Sequence, residues 1–458
     1  MSLKSAKHQK AVQMELSLED RGEAPKSERS GEAPTVMSEI ARLGTDRLME
    51  EAVGSANVEV ALKQVRRNKG SPGVDGMRVE ELPHHVAKHW EGLRTQLLAG
   101  TYQPKPVKRQ EIEKEGGGVR VLGIPCALDR FIQQCILQVL QPRFDPTFSE
   151  HSHGFRLGRG AHQAIGAAQR YIQEGRLWVV DVDLEQFFDR VNHDVLMGRL
   201  AKRITDKRLL RLIRRYLEAG MMANGIVMER EEGTPQGGPL SPLLANVLLD
   251  EVDKELEKRG HAFARYADDC NVYVRSRRAG ERVMEALTGL YAKLRLKVNE
   301  SKSAVACVWD RKFLGYSFWR AKGNEVKIRV APKAFKKLKE RIRKITSRSG
   351  GKSMKMVIAE LRRYLPGWKE YFRLAETPSK FQKLDCWVRH RLRAVQLKQW
   401  KCGTTAYRKL RGRGLSIRNA RALASRMGHW WKASEKGLIL PAFPPSYFDR
   451  LGVPKLAA

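Results

Sequence analysis

An apolar run that ends in carboxylates, LWVVDVD at 177–183, constrains the fold of this chain most. Its length and valine content predict a buried strand, and because side chains alternate along a strand, Asp181 and Asp183 share one face. A second acidic pair lies within 263–275, where two short runs of strand-forming residues flank Asp268 and Asp269. The pattern predicts two short strands with carboxylates at the tip between them.

Carboxylates placed in this way need a cationic counterpart. Acidic side chains in a partly buried site repel one another strongly, and bound cations remove that repulsion. Carboxylate oxygens suit Mg²⁺, which takes the rest of its coordination shell from water and substrate phosphates. Two such ions would stabilise the attacking and the leaving oxygen of an in-line phosphoryl displacement. A lone Asp-Asp pair is more typical of a β-turn, so this interpretation depends on the rest of the chain.

The net charge predicts a polyanionic partner. The 458 residues hold 86 Lys and Arg against 51 Asp and Glu, a formal charge of +35, and self-repulsion at this charge opposes compaction. Nucleic acid is the favoured partner over an anionic membrane surface. No apolar run has the length of a membrane span, and no signal-peptide pattern follows the N-terminus. The six cysteines form no C-x-x-C motif, which argues against a zinc ribbon or a disulfide framework and favours a reducing, intracellular setting.

Periodicity and turn residues predict the organisation of the chain. Residues 1–35 are polar and aperiodic and are expected to form a disordered tail. The other predicted elements are a helical pattern from residue 40 containing Leu48, Val53, Val58 and Leu62, a loop at 68–76, a β-hairpin at 107–124, a helix near 128–141, a helix capped by Asn192 or Asp194, strands at 313–318 and 326–330, and a helix at 379–400.

Basic charge is concentrated in the C-terminal part of the chain. Residues 331–440 hold 30 Lys and Arg against 6 Asp and Glu, with several aromatic residues interleaved. On the predicted helix at 379–400 the apolar residues share one face, and Arg389, Arg391 and Arg393 fall largely elsewhere. A solvated basic helix would explain one such element. Phosphate neutralisation with aromatic stacking surfaces explains the whole segment better.

Seven short motifs resemble those of reverse transcriptases and follow the family's order. YADD at 266–269 resembles the Y-A/V-D-D box, and DLEQFFD at 183–189 is similar to the motif of the first catalytic aspartate. The others are RVLGIP at 120–125, GFR at 154–156, GTPQGGPLSP at 233–242, LKVNESKS at 296–303 and FLGY at 313–316. Chance agreement at seven ordered sites is negligible, so the chain is identified as a member of this family.

The flanking segments resemble those of group II intron proteins. The loop at 68–76 is similar to an N-terminal extension of group II intron and non-LTR retroelement enzymes, and residues 364–400 resemble domain X, the thumb and maturase region. The H-N-H endonuclease of many relatives is not found, so the resemblance is to the compact, bacterial class C type. The domains implied are a tail (1–35), fingers and palm with the extension (36–330), thumb or domain X (331–400) and a DNA-binding region (401–458).

This resemblance implies an α+β fold of the right-hand polymerase type, with fingers, an antiparallel palm sheet, a helical thumb and a small basic C-terminal domain. It implies RNA-directed DNA polymerisation by two-Mg²⁺ nucleotidyl transfer, together with maturase binding of the parent intron RNA that promotes splicing and retromobility. Expected partners are intron RNA, an RNA template with a DNA primer, a DNA target site and dNTPs, with no membrane. The expected location is the bacterial cytoplasm, associated with the nucleoid or a ribonucleoprotein.

Two other functions stay open. A pure splicing factor could retain 331–458 and lose the palm carboxylates, but all three are present here. A domesticated reverse transcriptase serving defence or repair is disfavoured by the intact domain X. Intron boundaries and a domain V-like RNA hairpin around the reading frame would settle intron residence.

The resemblance assigns the metal ligands residue by residue. Asp183, Asp268 and Asp269 would be the catalytic residues and bind the two ions, with the backbone carbonyl of Leu184 as a further ligand. Because the family motif begins at Asp183, Asp183 is preferred over Asp181 as a metal ligand.

Nucleotide and template contacts follow in the same way. Lys114 and Arg120 would face each other across the hairpin turn and grip the triphosphate, and Gln236 would contact the templating pair or the sugar. Lys302 would either protonate the leaving pyrophosphate or face a phosphate, and Phe188, rather than the preceding phenylalanine, would exclude a ribose 2′-OH. The predicted nucleic-acid contacts are Asn68, Lys69, Gly70, Ser71, Pro72, Gly73, Arg389, Arg391 and Arg393.

Overall fold

The computed structural model describes residues 45–113, 119–223, 226–228, 230–435 and 437–457. The predicted tail at 1–35 and Lys114, at the tip of the predicted hairpin, lie outside these residues. The chain divides into two compact units, with the boundary between Cys307 and Val308. The functional boundary predicted at residue 330 is a different division, and it stays a prediction.

The first unit mixes helices and strands. Its helices are α1 (Leu48–Ala52), α2 (Ser55–Arg67), α3 (Leu82–Ala99), α4 (Ala127–Phe144), α5 (Ala161–Gln173), α6 (His193–Ala201), α7 (Lys207–Glu218), α8 (Ser241–Lys258) and α9 (Arg277–Lys293). Its strands are β1 (Val107–Glu113), β2 (Val119–Ile124), β3 (Trp178–Val182), β4 (Met221–Ala223), β5 (Ile226–Met228), β6 (Ala262–Tyr266), β7 (Asp269–Val274) and β8 (Ala304–Cys307).

Most elements predicted from local pattern are present in this unit. The hairpin is β1 with β2, the helix near 128–141 is α4, and the two short strands within 263–275 are β6 and β7. Asn192 is the cap that the sequence left open, because its side chain accepts a hydrogen bond from the Val195 N–H at 3.0 Å. The helical pattern from residue 40 is described from residue 45, and it is broken at Gly54 into α1 and α2.

The sheet that carries the acidic segments is antiparallel throughout, in the order β6–β7–β3–β8. Val182 of β3 is paired with Cys270 of β7, and Asp181 is paired with Ala304 of β8. The end of β3, the β6–β7 turn and the start of β8 therefore meet at one edge, which we call the catalytic edge. This is the antiparallel palm sheet that the resemblance implies. A second sheet, β2–β1–β4–β5, contains the hairpin.

Alternation along the strands separates the core from the site. Val180, Val182, Cys270 and Val272 are at most 1% exposed and join the main hydrophobic cluster of the first unit. Residues between them, such as Asp181, project to the opposite face. The apolar half of β3 and β7 thus fixes the register that brings Asp183 to the catalytic edge.

The second unit is largely helical around a separate hydrophobic cluster. Its elements are β9 (Tyr316–Arg320), β10 (Val326–Val330), α10 (Pro332–Ile345), α11 (Met354–Tyr371), α12 (Pro378–Gln399), α13 (Gly403–Arg411), α14 (Ile417–Ala424), α15 (Trp430–Ala433) and α16 (Pro445–Arg450). The strand predicted at 313–318 begins only at Tyr316, because Leu314 and Gly315 have φ of 49° and 82° and form a tight turn. The predicted helix at 379–400 is α12.

Candidate active site

Asp183 is fixed at the catalytic edge by the segment that precedes β8. Its backbone N–H donates to the Ser303 hydroxyl at 3.0 Å, and its carbonyl accepts from the Asn299 N–H at 2.8 Å. The Lys302 ammonium lies 3.3 Å from the Asp183 Oδ1. The structure therefore brings together two residues that the sequence placed in the same site, although 119 positions separate them.

Leu184 continues from Asp183 and pairs with Val298 in an isolated antiparallel bridge. The bridge bonds use the Asp183 carbonyl and the Glu185 N–H, which donates to the Lys297 carbonyl at 2.8 Å. Backbone groups alternate in direction along an extended strand, so the Leu184 carbonyl faces away from this bridge. Its predicted role as a metal ligand stays a prediction.

Asp268 lies on the β6–β7 turn in electrostatic range of Asp183. Burial raises the pKa of Asp268, and the Asp183 carboxylate raises it further, while the Arg120 guanidinium opposes both. Asp269 is exposed and begins β7. Within the described part of the chain, no three His, Cys, Asp or Glu side chains are close enough to hold a metal ion. The three carboxylates thus do not converge as one cluster in this structure, and metal binding by Asp269 stays a prediction.

Asp181 has a different environment from Asp183. It pairs with Asn271 across β3 and β7, and the Asn271 amide, oriented to satisfy its hydrogen bonds, donates to the Asp181 Oδ1 at 3.1 Å. The preference for Asp183 over Asp181 as a metal ligand stays a prediction.

A buried network around Arg265, the residue before the YADD segment, holds the β6–β7 turn, which we call the catalytic turn. Arg265 is 1% exposed, its Nε lies 2.8 Å from the Asp253 Oδ1, and its Nη1 donates to the Ala267 carbonyl at 2.9 Å. The same guanidinium contacts Asn246 on α8 and the Ser152 hydroxyl. Sequence reasoning missed these residues. Asn246, within the apolar run 243–249, was the available signal, because a polar residue in a buried run needs a partner.

The GFR motif packs directly onto this turn. A Cβ at Gly154 would lie 2.3 Å from the Ala267 backbone nitrogen, and Ala267 has a left-handed φ of 58°. Only glycine permits this approach. Arg156 of the same motif is 7% exposed and pairs with Asp145 at 3.1 Å. The motif therefore supports the turn from within the protein.

Arg120 and Gln236 meet although 116 positions separate them. The Arg120 Nε donates to the Gln236 Oε1 at 2.6 Å. Both were predicted to contact the nucleotide, and Arg120 is also in electrostatic range of Asp268. The cross-strand partner of Arg120 is Ile112, and the predicted approach of Arg120 to Lys114 lies outside the described residues and stays a prediction.

Phe187 and Phe188 lie in a 3-10 turn, Phe187–Asp189, and not in an extended strand, so strand alternation does not decide which ring faces the site, and the role of Phe188 stays a prediction. Phe187 is 3% exposed and belongs to the core, whereas Phe188 is half-buried. The Phe188 carbonyl accepts from the Thr234 N–H at 2.7 Å, and the Gly233 carbonyl lies 2.8 Å from the Nε2 of buried His193. The backbone beside Phe188 is thereby joined to the segment that carries Gln236. His193 carried no sequence signal beyond its place at the start of α6.

The loop at 68–76 is anchored to the start of α4. Arg130 donates to the Ser71 carbonyl at 2.8 Å, and a Cβ at Gly73 would lie 2.6 Å from the Cys126 Cα. Lys69 is exposed, whereas Gly73 is buried against Cys126. The prediction that Gly73 contacts the template is therefore wrong. For the exposed part of the loop, template contact stays a prediction.

Comparison with known proteins gives the family. Residues 112–318 match the model described as "Reverse transcriptase (RNA-dependent DNA polymerase)", and residues 335–414 match "Group II intron, maturase-specific domain". Protein YkfC of Escherichia coli is 33% identical over 301 residues, which cover 57% of this chain and 79% of that protein. The chain belongs to the group II intron reverse transcriptase and maturase family. It is an RNA-directed DNA polymerase with a maturase domain.

Other relatives share a smaller part. The group II intron-encoded protein LtrA of Lactococcus lactis is 40% identical over 159 residues, 34% of this chain and 26% of LtrA. The chain thus spans about a quarter of that relative. Among solved structures, a chain of the partial Cas6-RT-Cas1–Cas2 complex is 24% identical to this one, with a TM-score of 0.35. The match covers 54% of this chain and 42% of the chain in that complex.

Reverse transcriptases use divalent metal ions, and the site fits one. Asp183 and Asp268 offer carboxylate oxygens, the ligand type that such ions prefer. Burial and, to a smaller extent, the Asp183 carboxylate raise the pKa of half-buried Asp268, and a bound cation would offset both effects. Lys302 and Arg120 supply further positive charge beside these carboxylates.

The three arginines of α12 that were predicted to contact nucleic acid are buried or half-buried. Arg393 is 3% exposed and donates to the Ser434 carbonyl at 2.8 Å, so its prediction as a nucleic-acid contact is wrong. Arg391 is half-buried with its Nε 2.5 Å from the Thr346 hydroxyl, and Arg389 lies 3.8 Å from Asp449. Helix α10 instead exposes Lys333, Lys336, Lys337, Lys339, Arg341, Arg343 and Lys344. In the described ranges, no helix combines the length and apolarity needed to cross a membrane.

Proposed function

We propose that this reverse transcriptase extends a DNA primer on an RNA template with two Mg²⁺ ions, held by Asp183, Asp268, Asp269 and the Leu184 carbonyl. The observation that carries the proposal is the approach of Lys302 and Arg120 to the Asp183–Asp268 pair. When bound, the ions supply charge stabilisation to the attacking and leaving oxygens.

The chain's own residues have separate tasks in this reaction. The primer 3′-hydroxyl attacks the α-phosphorus of the dNTP, and pyrophosphate leaves. Arg120 binds the triphosphate through its planar guanidinium, in a position set by the hydrogen bond to Gln236. Lys302 is placed beside Asp183 either to protonate the leaving pyrophosphate or to neutralise a phosphate. Lys114 is proposed as a second triphosphate contact.

As a maturase, the protein is proposed to bind the parent intron RNA and promote splicing and retromobility at a DNA target site. The maturase domain match and the exposed basic face of α10 support this role. We place the thumb or domain X at 331–400, the DNA-binding region at 401–458 and the protein in a cytoplasmic ribonucleoprotein. Primer extension on an RNA template with Mg²⁺, run beside an intron-splicing assay, tests both activities. Loss of either one alone would identify which half of the proposal fails.

Phe188 is proposed as the residue that excludes ribonucleotides. A ring beneath the sugar leaves no room for a 2′-OH, so Phe188→Ala is expected to raise rNTP use relative to dNTP use by about 10- to 100-fold, the range of size-based discrimination. Single-nucleotide incorporation with each substrate measures this ratio. Phe187→Ala is the matched control and is expected to cost about 3–5 kcal/mol of stability, because Phe187 is a core residue. Relaxed sugar selection in the control alone would place the gate at Phe187.

The loop at 68–76 is proposed to lie over the template or its junction with an acceptor strand. Replacing the loop with two glycines is expected to lower template switching about tenfold, or 1.4 kcal/mol, while ordinary extension stays within about twofold, because no metal ligand is altered. Template-switching and primer-extension assays on the same preparation give the two rates. Arg130→Gln, which removes only the anchor to Ser71, is the smaller perturbation. An equal loss of both activities, or no loss of either, would make the loop a structural connector.

A further inference from the structure

A basic cleft lies at the end of the palm sheet opposite the catalytic edge. It is formed by the turn before β6, the end of β7 and the first two turns of α9, and its charged lining consists of Arg176, Arg259, His261, Arg275 and Arg282. β7 runs from Asp269 at the catalytic edge to Val274 in this lining. At about 3.4 Å per residue, the far-end cleft is about 17 Å from the catalytic turn.

Two of the four arginines have no acidic partner. Arg176 pairs with Glu174, and Arg259 pairs with Glu255 at 2.7 Å. Arg275 and Arg282 are exposed, and neither forms an ion pair with any residue that the structure describes. Burial lowers the pKa of His261 and Arg259 lowers it further, so the imidazole is neutral near pH 7 and the positive charge belongs to the arginines.

This charge does not serve the local fold. α9 begins at Arg277 with Arg278 next, and its first turn has no acidic residue. The N-terminal end of a helix carries partial positive charge and favours acids, so basic residues there oppose helix stability. The packing beneath is apolar, since Val274 and Val283 are 7% and 6% exposed. The lining cations Arg275 and Arg282, which stand over this apolar packing without an ion pair among the described residues, fit a polyanionic ligand.

The surroundings favour a nucleic-acid backbone over a lipid surface. Insertion of an amphipathic segment into a membrane surface combines exposed apolar side chains with basic ones. The large hydrophobic residues that the described structure exposes, such as Leu157, Ile226 and Met356, lie outside this lining. Guanidinium groups match phosphate oxygens in a forked geometry.

We propose that the far-end cleft binds the phosphate backbone of RNA through Arg275 and Arg282, at a site separate from the polymerase centre. This inference rests on the proposed maturase function, in which the protein holds structured RNA apart from any primer and template. RNA seated here would leave the catalytic edge open, so binding and polymerisation would be separable by mutation.

The test compares two double variants of the full chain, each with two cations removed. Arg275→Gln/Arg282→Gln removes the unpaired cations, and Lys63→Gln/Arg214→Gln removes cations outside the cleft that each pair with a glutamate four residues away. The probe is a labelled RNA hairpin without primer, titrated over a range of salt concentrations. The first variant is expected to bind about tenfold more weakly, with a salt slope reduced by about 2, and the control to bind as the parent protein does.

Primer extension on a short template separates this inference from the proposed function. Both variants are expected to extend a primer at the parent rate, because the cleft is far from the catalytic edge. Equal hairpin affinity in the two variants would overturn the cleft assignment. Displacement of the hairpin from the cleft by millimolar dNTP or inorganic phosphate would also overturn it, by identifying a small-anion site. Absence of extension in the parent protein would contradict the polymerase proposal and leave the binding result interpretable.

Discussion

Asp268→Asn is expected to abolish cDNA synthesis and to leave RNA binding close to that of the parent protein. The substitution removes a negative charge whose interaction with a catalytic metal ion is worth several kcal/mol, which corresponds to a rate loss of at least about 10³-fold. The basic surfaces, including α10, are unchanged. Primer extension with Mg²⁺ and hairpin binding, measured on one preparation, give the two results.

Instability would not explain this loss. Burial and the neighbouring Asp183 raise the pKa of Asp268, so its charged form is disfavoured in the folded protein at neutral pH. A neutral amide of the same shape removes that penalty and is expected to leave thermal stability equal or higher. Asp310→Asn is the control, because Asp310 is exposed and is placed in no part of the site. Near-normal extension by the Asp268 variant would contradict the assignment of this carboxylate.

RNA binding is expected to weaken steeply as salt increases. Each phosphate neutralised by Lys or Arg releases condensed counterions, and about 6–10 such contacts lower affinity on the order of 10³- to 10⁵-fold between 50 and 200 mM salt. The exposed cations of α10 make this number of contacts available. A titration of RNA affinity against salt at constant pH measures the slope. A nearly flat dependence would show that the basic residues form only a solvated surface.

Elements set by local pattern were predictable from the sequence. The β1–β2 hairpin, the β3 strand and the Asn192 cap follow from alternation, turn residues and capping chemistry, which act over a few positions. The start of β9 was misplaced, because the positive φ values of Leu314 and Gly315 create a turn where strand-forming residues predict extension. Gly315 was the available signal, because glycine favours the positive φ of a turn.

Contacts between distant segments were not predictable in the same way. The motifs placed Arg120 and Gln236 in one site, but their hydrogen bond depends on the approach of β2 to the turn before α8, two segments far apart in sequence. The helical face pattern of 379–400 failed for Arg393, because an amphipathic pattern cannot distinguish solvent from a second packed element such as the Ser434 segment. The exposed cations on α10 were predictable only as part of a basic region.

The buried Arg265 network gives the catalytic turn a particular dynamic property. Arg265 joins β6 to Asp253 on α8 and to Ser152 beside the GFR motif. If any one of these segments opened alone, a charge or polar group would be left buried without its partner, at a cost of several kcal/mol. Partial opening is therefore suppressed. The backbone amide hydrogens of the three segments are expected to exchange with solvent as one cooperative unit. The β6–β7 turn that carries Asp268 is thereby protected from local fluctuation, although it lies at the end of its sheet.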